Sequence, residues 1–151
     1  MFAYQLSVKA ENRPGNLAKI TDILEEGKIN IRAVTITSFN DHGIINLLVD
    51  NPRLATRILE KKNVSVVLKK VIAVLIEDKP GGLNRLVRLL ANENINLEDA
   101  YGFVLESRKH AVLVLDVDQP EKTQKILSSS GYKTLNADAL SAIEPFHYIK
   151  Y

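Results

Sequence analysis

Residues 77–83 read Glu77-Asp78-Lys79-Pro80-Gly81-Gly82-Leu83, and residues 11–17 read Glu11-Asn12-Arg13-Pro14-Gly15-Asn16-Leu17. Pro14 and Pro80 are 66 positions apart, and the same offset matches Leu24 with Leu90, Ile29 with Ile95 and Asn30 with Asn96. Further along, Asp50-Asn51-Pro52 matches Asp118-Gln119-Pro120, with Pro52 and Pro120 separated by 68. The chain is therefore an internal repeat, and its two extra residues fall in a hairpin, where insertions are tolerated.

Each copy predicts the same order of elements. Alternating apolar residues and β-branched runs predict strands, apolar residues at helical spacing predict helices, and Pro-Gly or Asn-Asp pairs predict turns. In the first copy we predict strands over 4–11, 29–39, 44–50 and 64–68, with helices from Leu17 to near Gly27 and from Pro52 onward. In the second copy we predict strands over 71–77, 96–105, 110–117 and 132–135, with helices over 82–93 and 121–129.

This order predicts an α+β fold made of two ferredoxin-like βαββαβ modules with antiparallel sheets. We place the first domain at residues 1–69 and the second at 70–136, with no linker because Lys69-Lys70 joins two strand patterns directly. One long bent strand shared by the two copies is the alternative to two separate strands. Residues 137–151 form a C-terminal tail outside the repeat. We expect the tail to pack on the domains or on a dimer partner, because it contains several apolar residues: Leu140, Ile143, Phe146, Tyr148 and Ile149.

The strands of the second copy are apolar on both faces. Residues 71–76 and 111–115 are continuous apolar runs, whereas a sheet with one solvated face would alternate. Large exposed apolar patches are rare. We therefore expect another sheet or a second protomer to cover the face that carries no helices.

The two Pro-Gly loops suggest a binding site. A glycine allows close backbone approach, and the N–H groups at the start of the following helix favour a carboxylate or phosphate. Asn12 and Asp78, at equivalent positions, offer acceptors for an ammonium group, so a zwitterionic amino acid would satisfy both demands. A plain strand-to-helix turn with an Asx cap explains the same residues equally well.

The loop pattern resembles the ACT domain. The second copy matches D-x-P-G-x-L through Asp78, Pro80, Gly81 and Leu83, and the first copy departs from it with Asn12 in place of Asp. The segments Lys28-Ile29-Asn30-Ile31 and Asn94-Ile95-Asn96-Leu97 resemble the family's entry into its second strand. The resemblance covers nearly all of residues 3–136. The arrangement of the two copies resembles that of stand-alone tandem ACT proteins, which lack an attached enzyme domain.

The resemblance implies where a ligand would bind. Paired ACT domains bind amino acids between the loop of one domain and the start of the second strand of its neighbour. By resemblance, the ligand-binding residues are those of the two loops and the two strand starts, which extend more loosely to Ala33 and Ala100: Asn12, Arg13, Pro14, Gly15, Asn16, Leu17, Asn30, Ile31, Asp78, Lys79, Pro80, Gly81, Gly82, Leu83, Asn96 and Leu97. The Asn12 departure leaves open whether both copies bind.

Other chemistries have weaker support. His42 and His110 occupy equivalent hairpin positions, but without Cys or a His-x-His spacing we expect solvated turn residues and no metal site. Arg13 after a first strand resembles the phosphate-holding loop of acylphosphatase, although the following Pro-Gly departs from that loop. No nucleophile has a base at defined spacing, and Ser128-Ser129-Ser130-Gly131 is typical of a helix end. We therefore predict no catalytic residues and no enzyme.

RNA-recognition modules share the βαββαβ order and carry stacking aromatics on their first and third strands. Here the third strands have none, and Tyr101-Gly102-Phe103-Val104 lies on a second strand. The net charge of +2 also gives no argument for nucleic acid or membrane partners. The longest apolar stretch, residues 71–76, is too short to span a bilayer, and we see no targeting segment.

These observations predict a cytoplasmic, amino-acid-binding regulatory or sensor protein that forms a homodimer and needs no cofactor. Its partners would be a free amino acid or similar small zwitterion and, further, a metabolic enzyme. The alternative is a ligand-free interaction subunit that docks an amino-acid biosynthetic enzyme through its apolar sheet face.

Overall fold

The computed structural model describes residues 1–142, apart from the side chain of Ser141. The chain order of elements confirms the predicted α+β fold with two βαββαβ patterns. The elements are β1 (Ala3–Glu11), α1 (Asn16–Glu26), β2 (Ile31–Phe39), β3 (His42–Val49), α2 (Pro52–Lys61), β4 (Val66–Glu77), α3 (Gly82–Asn92), β5 (Leu97–Glu106), β6 (His110–Val117), α4 (Pro120–Ser129), β7 (Thr134–Leu135) and α5 (Ala137–Ala142).

The chain divides into two compact units, residues 4–69 and the remainder of the described chain, 1–3 with 70–142. We call them the first and the second unit. β4 crosses this boundary as one strand of 12 residues, where the sequence predicted two strands over 64–68 and 71–77. No Gly or Pro interrupts Lys69-Lys70, so nothing in the chain stops the strand there. The domain limits 1–69 and 70–136 stay a prediction.

In the first unit, an antiparallel sheet in the order β2–β3–β1 carries two helices on one face. Leu6 of β1 lies opposite Leu47 of β3, and Val34 of β2 lies opposite the same Leu47. After α2, the Lys9 N–H donates to the Ser65 carbonyl at 3.1 Å, just before β4 begins. The core contains buried residues from the sheet and from both helices: Leu6, Val8, Ile20, Ile23, Leu24, Ile29, Ile45, Leu47, Val49, Ala55 and Leu59.

The second unit repeats this arrangement in the order β5–β6–β4–β7. Ile72 of β4 lies opposite Leu115 of β6, and β7 pairs with β4 at Ala73 and Val74. β7 has two residues instead of the predicted four, because the Tyr132 N–H still bonds the Leu127 carbonyl of α4, at 2.9 Å. The core again combines sheet and helix residues: Ile72, Val74, Leu86, Leu90, Ile95, Leu113, Leu115, Val117 and Leu127.

The two hairpins account for the change in repeat offset. Phe39 pairs with His42, which leaves two residues in the turn, whereas Glu106 pairs with His110 and leaves three. The other extra residue is in β5, where the register shifts between Val104 and Glu106. A bulge of this kind adds one residue to a strand without ending its pairing.

The helix-free face of the second unit is buried. Successive strand residues point to opposite faces, so Val71, Ala73, Val112 and Val114 point away from the helices. Each is at most 1% exposed within the single chain. A second protomer is therefore not needed to explain the apolar strands.

The C-terminal tail begins with α5, whose Leu140 is 4% exposed. The side chain of Asn136 caps this helix by accepting the Ala139 N–H at 2.8 Å. The other apolar tail residues of the prediction, Ile143, Phe146, Tyr148 and Ile149, lie outside the described residues, as does His147.

Candidate functional site

The Pro-Gly loops have the same backbone geometry in both units. Gly15 has φ 93° and Gly81 has φ 87°, and each is the N-cap residue of its helix, α1 or α3. The left-handed conformation is open to glycine at little cost, whereas other residues pay for it in steric strain. Neither helix has a side-chain cap. The predicted alternative of an Asx cap therefore does not describe these loops, and the first turn of each helix has no side-chain acceptor at its N-terminus.

Asp78 is bound to the hairpin of its own unit. Its Oδ2 accepts the Arg108 N–H at 2.7 Å, and its own N–H donates to the Lys109 carbonyl at 3.0 Å. In the first unit the Asn12 N–H donates to the Asp41 carbonyl at 2.8 Å. One carboxylate oxygen of Asp78 thus has a structural role, and an ammonium ligand would use the other.

The structure does not bring the predicted loop residues near the predicted strand starts within one unit. Glu11 and Phe39 both lie opposite His42, whereas Ile31 lies opposite Val49 at the other end of β3. At about 3.3 Å per residue, the ends of β2 are roughly 25 Å apart. The second unit has the same register, with Leu97 opposite Val117. Within one unit, a loop and a strand start therefore cannot form a single site.

The strand starts are held by aspartates at the end of the neighbouring strand. The Asn30 N–H donates to Asp50 Oδ1 at 3.1 Å, and the Asn96 N–H donates to Asp118 Oδ1 at 3.0 Å. Both asparagines are exposed. Their backbones are therefore fixed while their side chains face solvent, which leaves the amides accessible to a ligand.

The motif leucines differ between the units. Leu17 packs against the core of the first unit, whereas Leu83 is 50% exposed. The preceding position also differs in its contacts: the Asn16 side-chain amide donates to the Glu11 carbonyl, while Gly82 packs so closely that a Cβ would overlap the Glu77 carbonyl oxygen. The second loop therefore presents more apolar surface and less side chain than the first.

A groove in the second unit was not predicted. It has a volume of about 330 Å³, and we call it the Arg85 groove. Its lining comes from the end of β4, the first turn of α3, the start of β6 and the segment before β7: Leu75, Ile76, Glu77, Gly82, Arg85, His110, Gly131, Tyr132 and Lys133. The one signal in the sequence is the pair of equivalent cations, Lys19 and Arg85, in the turn after each Pro-Gly loop.

Glu77 carries the negative charge of this groove. Lys79 Nζ lies 2.5 Å from its Oε2, and Arg85 Nη2 lies 3.7 Å away. The hydrogen bond and charge of Lys79 lower the pKa of Glu77 and outweigh the opposing effect of burial, while Arg85 and His110 lower it by smaller amounts. Glu77 is therefore ionised and already neutralised at neutral pH.

The histidines lie at equivalent positions, as predicted, but each is the first residue of a strand, β3 or β6, whereas His42 was predicted to lie in the turn. His42 and His110 are both exposed, and each lies opposite a glutamate, Glu11 or Glu77. Among residues 1–142 there is no group of three His, Cys, Asp or Glu side chains placed to hold a metal ion. Within the same range, no helix is both long enough and apolar enough to cross a bilayer.

The chain matches a family model. Residues 1–143 match the model described as an ACT domain pair. No protein with a curated description matches the chain.

Solved structures with similar folds include protein BT0572 from Bacteroides thetaiotaomicron, at 27% identity and a TM-score of 0.88, with 94% of this chain and 97% of that chain covered. The ligand-free regulatory subunit of aspartate kinase from Thermus thermophilus is similar at 15% identity and a TM-score of 0.62, covering 87% of this chain and 95% of that one. Aspartate kinase from Clostridium acetobutylicum is similar at 14% identity and a TM-score of 0.55, where the match spans 85% of this chain and 33% of that one. The last two similarities concern the fold alone.

The repeated βαββαβ units, their matching Pro-Gly loops and the family model over residues 1–143 agree, and the chain belongs to the family of ACT domain pairs.

Proposed function

We propose that this protein is a regulatory sensor that binds a free amino acid at an interface between ACT domains. The observation that carries the proposal is the pair of Pro-Gly loops, each with a left-handed glycine as N-cap and no side-chain cap on the helix that follows. The N–H groups of an uncapped helix start are suited to a carboxylate. Asp78 or Asn12 would supply acceptors for the ammonium group.

The site would combine the loop of one ACT domain with the start of the second strand of another. Within a unit these segments are at opposite ends of β3, so the neighbouring domain must provide Asn30–Ala33 or Asn96–Ala100. Leu83, which is half exposed, would contact the apolar part of the ligand. Because the second loop has the aspartate and the exposed leucine, we propose that Asp78–Leu83 is the primary loop.

Binding at such an interface would act by population shift. A ligand that contacts two domains favours the arrangement in which both contacts form. If a partner protein also prefers that arrangement, the ligand raises the affinity for the partner, and the partner raises the affinity for the ligand by the same factor. We propose a metabolic enzyme as that partner and no catalytic activity for the chain itself. The similarity to a protein described as a regulatory subunit of aspartate kinase supports this regulatory role through the shared fold. A cytoplasmic location belongs to the same proposal, because biosynthetic enzymes and free amino acids meet there.

The test is a thermal-shift screen of the purified protein against the proteinogenic amino acids, followed by calorimetry. A ligand at 100 times its Kd should stabilise the protein by about 2.7 kcal/mol and raise Tm by roughly 5–10 °C. Asn96→Ala should weaken binding about tenfold if the exposed amide contacts the ligand. Asn92→Ala, an exposed change at the end of α3, is the matched control.

One result would oppose the proposal, and another would change which unit supplies the strand start. If no amino acid raises Tm, the protein is not an amino-acid sensor. If Asn30→Ala weakens binding and Asn96→Ala does not, the start of β2 supplies the ligand contact instead of the start of β5.

A ligand-free interaction subunit is the second candidate. Three large apolar side chains of β2 favour it, since Val34, Ile36 and Phe39 are 47%, 54% and 61% exposed. Exposed apolar patches mark interaction surfaces. Recovery of the same biosynthetic enzyme by the immobilised protein with and without amino acids, and its loss with Ile36→Lys, would support this candidate over the sensor.

A further inference from the structure

We propose that the Arg85 groove binds the anionic group of a small molecule, either a carboxylate or a phosphate. This site lies wholly within the second unit and needs no neighbouring domain, whereas the amino-acid site proposed above needs one; the two share Gly82 at the start of α3. Four elements contribute to it, and its volume of about 330 Å³ is at the lower end of the range for small-molecule pockets.

The groove exists because β7 pairs with β4 only at Ala73 and Val74, whereas β4 continues to Glu77. The Leu75 N–H donates to the Lys133 carbonyl at 2.9 Å, and the chain before Lys133 then turns away, with the Tyr132 N–H bonded to Leu127. Residues two apart along a strand point the same way. The Glu77 N–H therefore points to the side on which β7 would have continued, which is the space that forms the groove.

The Lys, Arg, Asp and Glu side chains that line this space are Glu77, Arg85 and Lys133, so the cations outnumber the anion. Lys79 already neutralises Glu77 through a contact of 2.5 Å, whereas Arg85 is 3.7 Å from the same carboxylate. Arg85 and Lys133 thus add positive charge that Glu77 does not balance. The Arg85 guanidinium extends over Gly81, where its Nη1 would be 3.0 Å from an added Cβ. A planar guanidinium is suited to two-point contact with a carboxylate or phosphate.

The first unit has a cavity of about 410 Å³ in the equivalent place, lined by Glu11, Asn16, Lys19 and Ser65 among others. Its chemistry differs in two respects. Asn16 places an amide on the Glu11 carbonyl, where the second unit has only the backbone of Gly82. Ser65 also stands where the second unit has Lys133. Both cavities are lined by two cations, Lys9 and Lys19 in the first unit and Arg85 and Lys133 in the second. Only the second has a guanidinium and no side chain at the helix start, so we assign the anion site to the second unit.

The experiment is an NMR titration of the full chain, following backbone amides while sodium phosphate or sodium acetate is added at an ionic strength held constant with sodium chloride. We expect saturable shifts at the Glu77, Gly82 and Lys133 amides with at least one of the two anions. Phosphate alone would identify a phosphate-bearing ligand, and acetate alone a carboxylate. Arg85→Ala should raise the Kd about tenfold, because it removes a charge-assisted hydrogen bond.

Arg88→Ala is the matched control, since Arg88 is exposed on the same helix one turn further and does not line the groove. Its Kd should stay within about twofold of the wild-type value, because a distant exposed charge is screened. Lys133→Ser, which copies the first unit, should weaken binding and leave the dispersion of the spectrum unchanged. Absence of saturable shifts with both anions, or equal losses in Arg85→Ala and Arg88→Ala, would overturn the proposal. Because Gly82 belongs to both proposed sites, the Glu77 and Lys133 amides report on the groove alone, and amino-acid binding is measured separately by thermal shift.

Discussion

Individual residues with left-handed backbone angles occur at equivalent positions in both copies. Gly15 and Gly81 have φ 93° and 87°, and Lys28 and Asn94 have φ 57° and 56°. The remaining positions also form equivalent pairs: Asn40 matches Arg108, and Asn63 matches Gly131. The φ angles of these four residues are between 52° and 83°. The backbone has therefore stayed the same while the side chains changed, including to Lys and Arg, which have no preference for this conformation.

Exchanging the residues at one such pair gives a test. Lys28→Asn should raise the free energy of unfolding by about 0.5 kcal/mol, and Asn94→Lys should lower it by a similar amount, because Asn tolerates the left-handed region better than Lys. Both side chains are exposed, so burial changes little. Urea unfolding monitored by circular dichroism measures the difference. Shifts in the same direction for both variants would show that backbone preference does not control stability here.

The helices that start with Pro52 and Pro120 show how equivalent elements can differ in one contact. Asn51 caps α2, with its Oδ1 accepting the Leu54 N–H at 3.2 Å, whereas Gln119 makes no side-chain cap for α4. Both helices begin with Pro, whose missing N–H costs nothing at that position. The local sequence therefore determines the helix start in both copies, and the cap is an additional stabilisation in one of them.

This difference predicts the outcome of two alanine substitutions. Asn51→Ala should cost about 1 kcal/mol in the free energy of unfolding, because the Leu54 N–H loses its acceptor. Gln119→Ala, at the equivalent position, should cost less than about 0.5 kcal/mol, because no cap is lost. Chemical denaturation of the two variants beside the wild type provides the comparison. A larger loss in Gln119→Ala would contradict the assignment of the caps.

Most elements could be predicted from the sequence, because their apolar periodicity and their Pro, Gly and Asn boundaries are local properties. For β4 the sequence left both one long strand and two separate strands open, since a strand ends or continues according to its hydrogen-bonding partners, and the structure has one strand. β7 was predicted too long for a similar reason: Tyr132 has a strand-forming side chain, but its N–H is bonded to α4. The Pro-Gly loops were found by their repetition. The Arg85 groove was missed because its residues, from Leu75 to Lys133, are far apart in the sequence and meet through the topology.

Considered as a whole, the chain has apolar surface at the outer strand of its first unit. β2 has β3 as its neighbour in the sheet, and the cross-strand partners of Val34 and Ile36 are the core residues Leu47 and Ile45. These two side chains therefore extend the helix-covered face of the sheet beyond the core. An outer strand with apolar side chains is suited to pairing with another chain, which supports the proposed homodimer.

Substitution at this strand tests the homodimer. Wild-type protein should have the mass of a dimer by light scattering after size exclusion, and Ile36→Lys should shift it toward monomer, because a charge at an apolar interface is not solvated. Val104→Lys is the matched control, since Val104 lies on β5 and has the same 54% exposure as Ile36. Dissociation by Val104→Lys but not by Ile36→Lys would assign the interface to β5, and a monomeric wild type would exclude the homodimer.

The uninterrupted β4 has a consequence for how the chain could have evolved. Duplication and fusion of one ancestral gene would produce this repeat, and here the fusion left no spacer: the last strand of the ancestral copy and the first strand of the next became the single strand Val66–Glu77. A recombination event at Lys69-Lys70 would therefore divide a strand between two products. The two copies can diverge in side chains, as Asn16 and Gly82 have, but they must be inherited together.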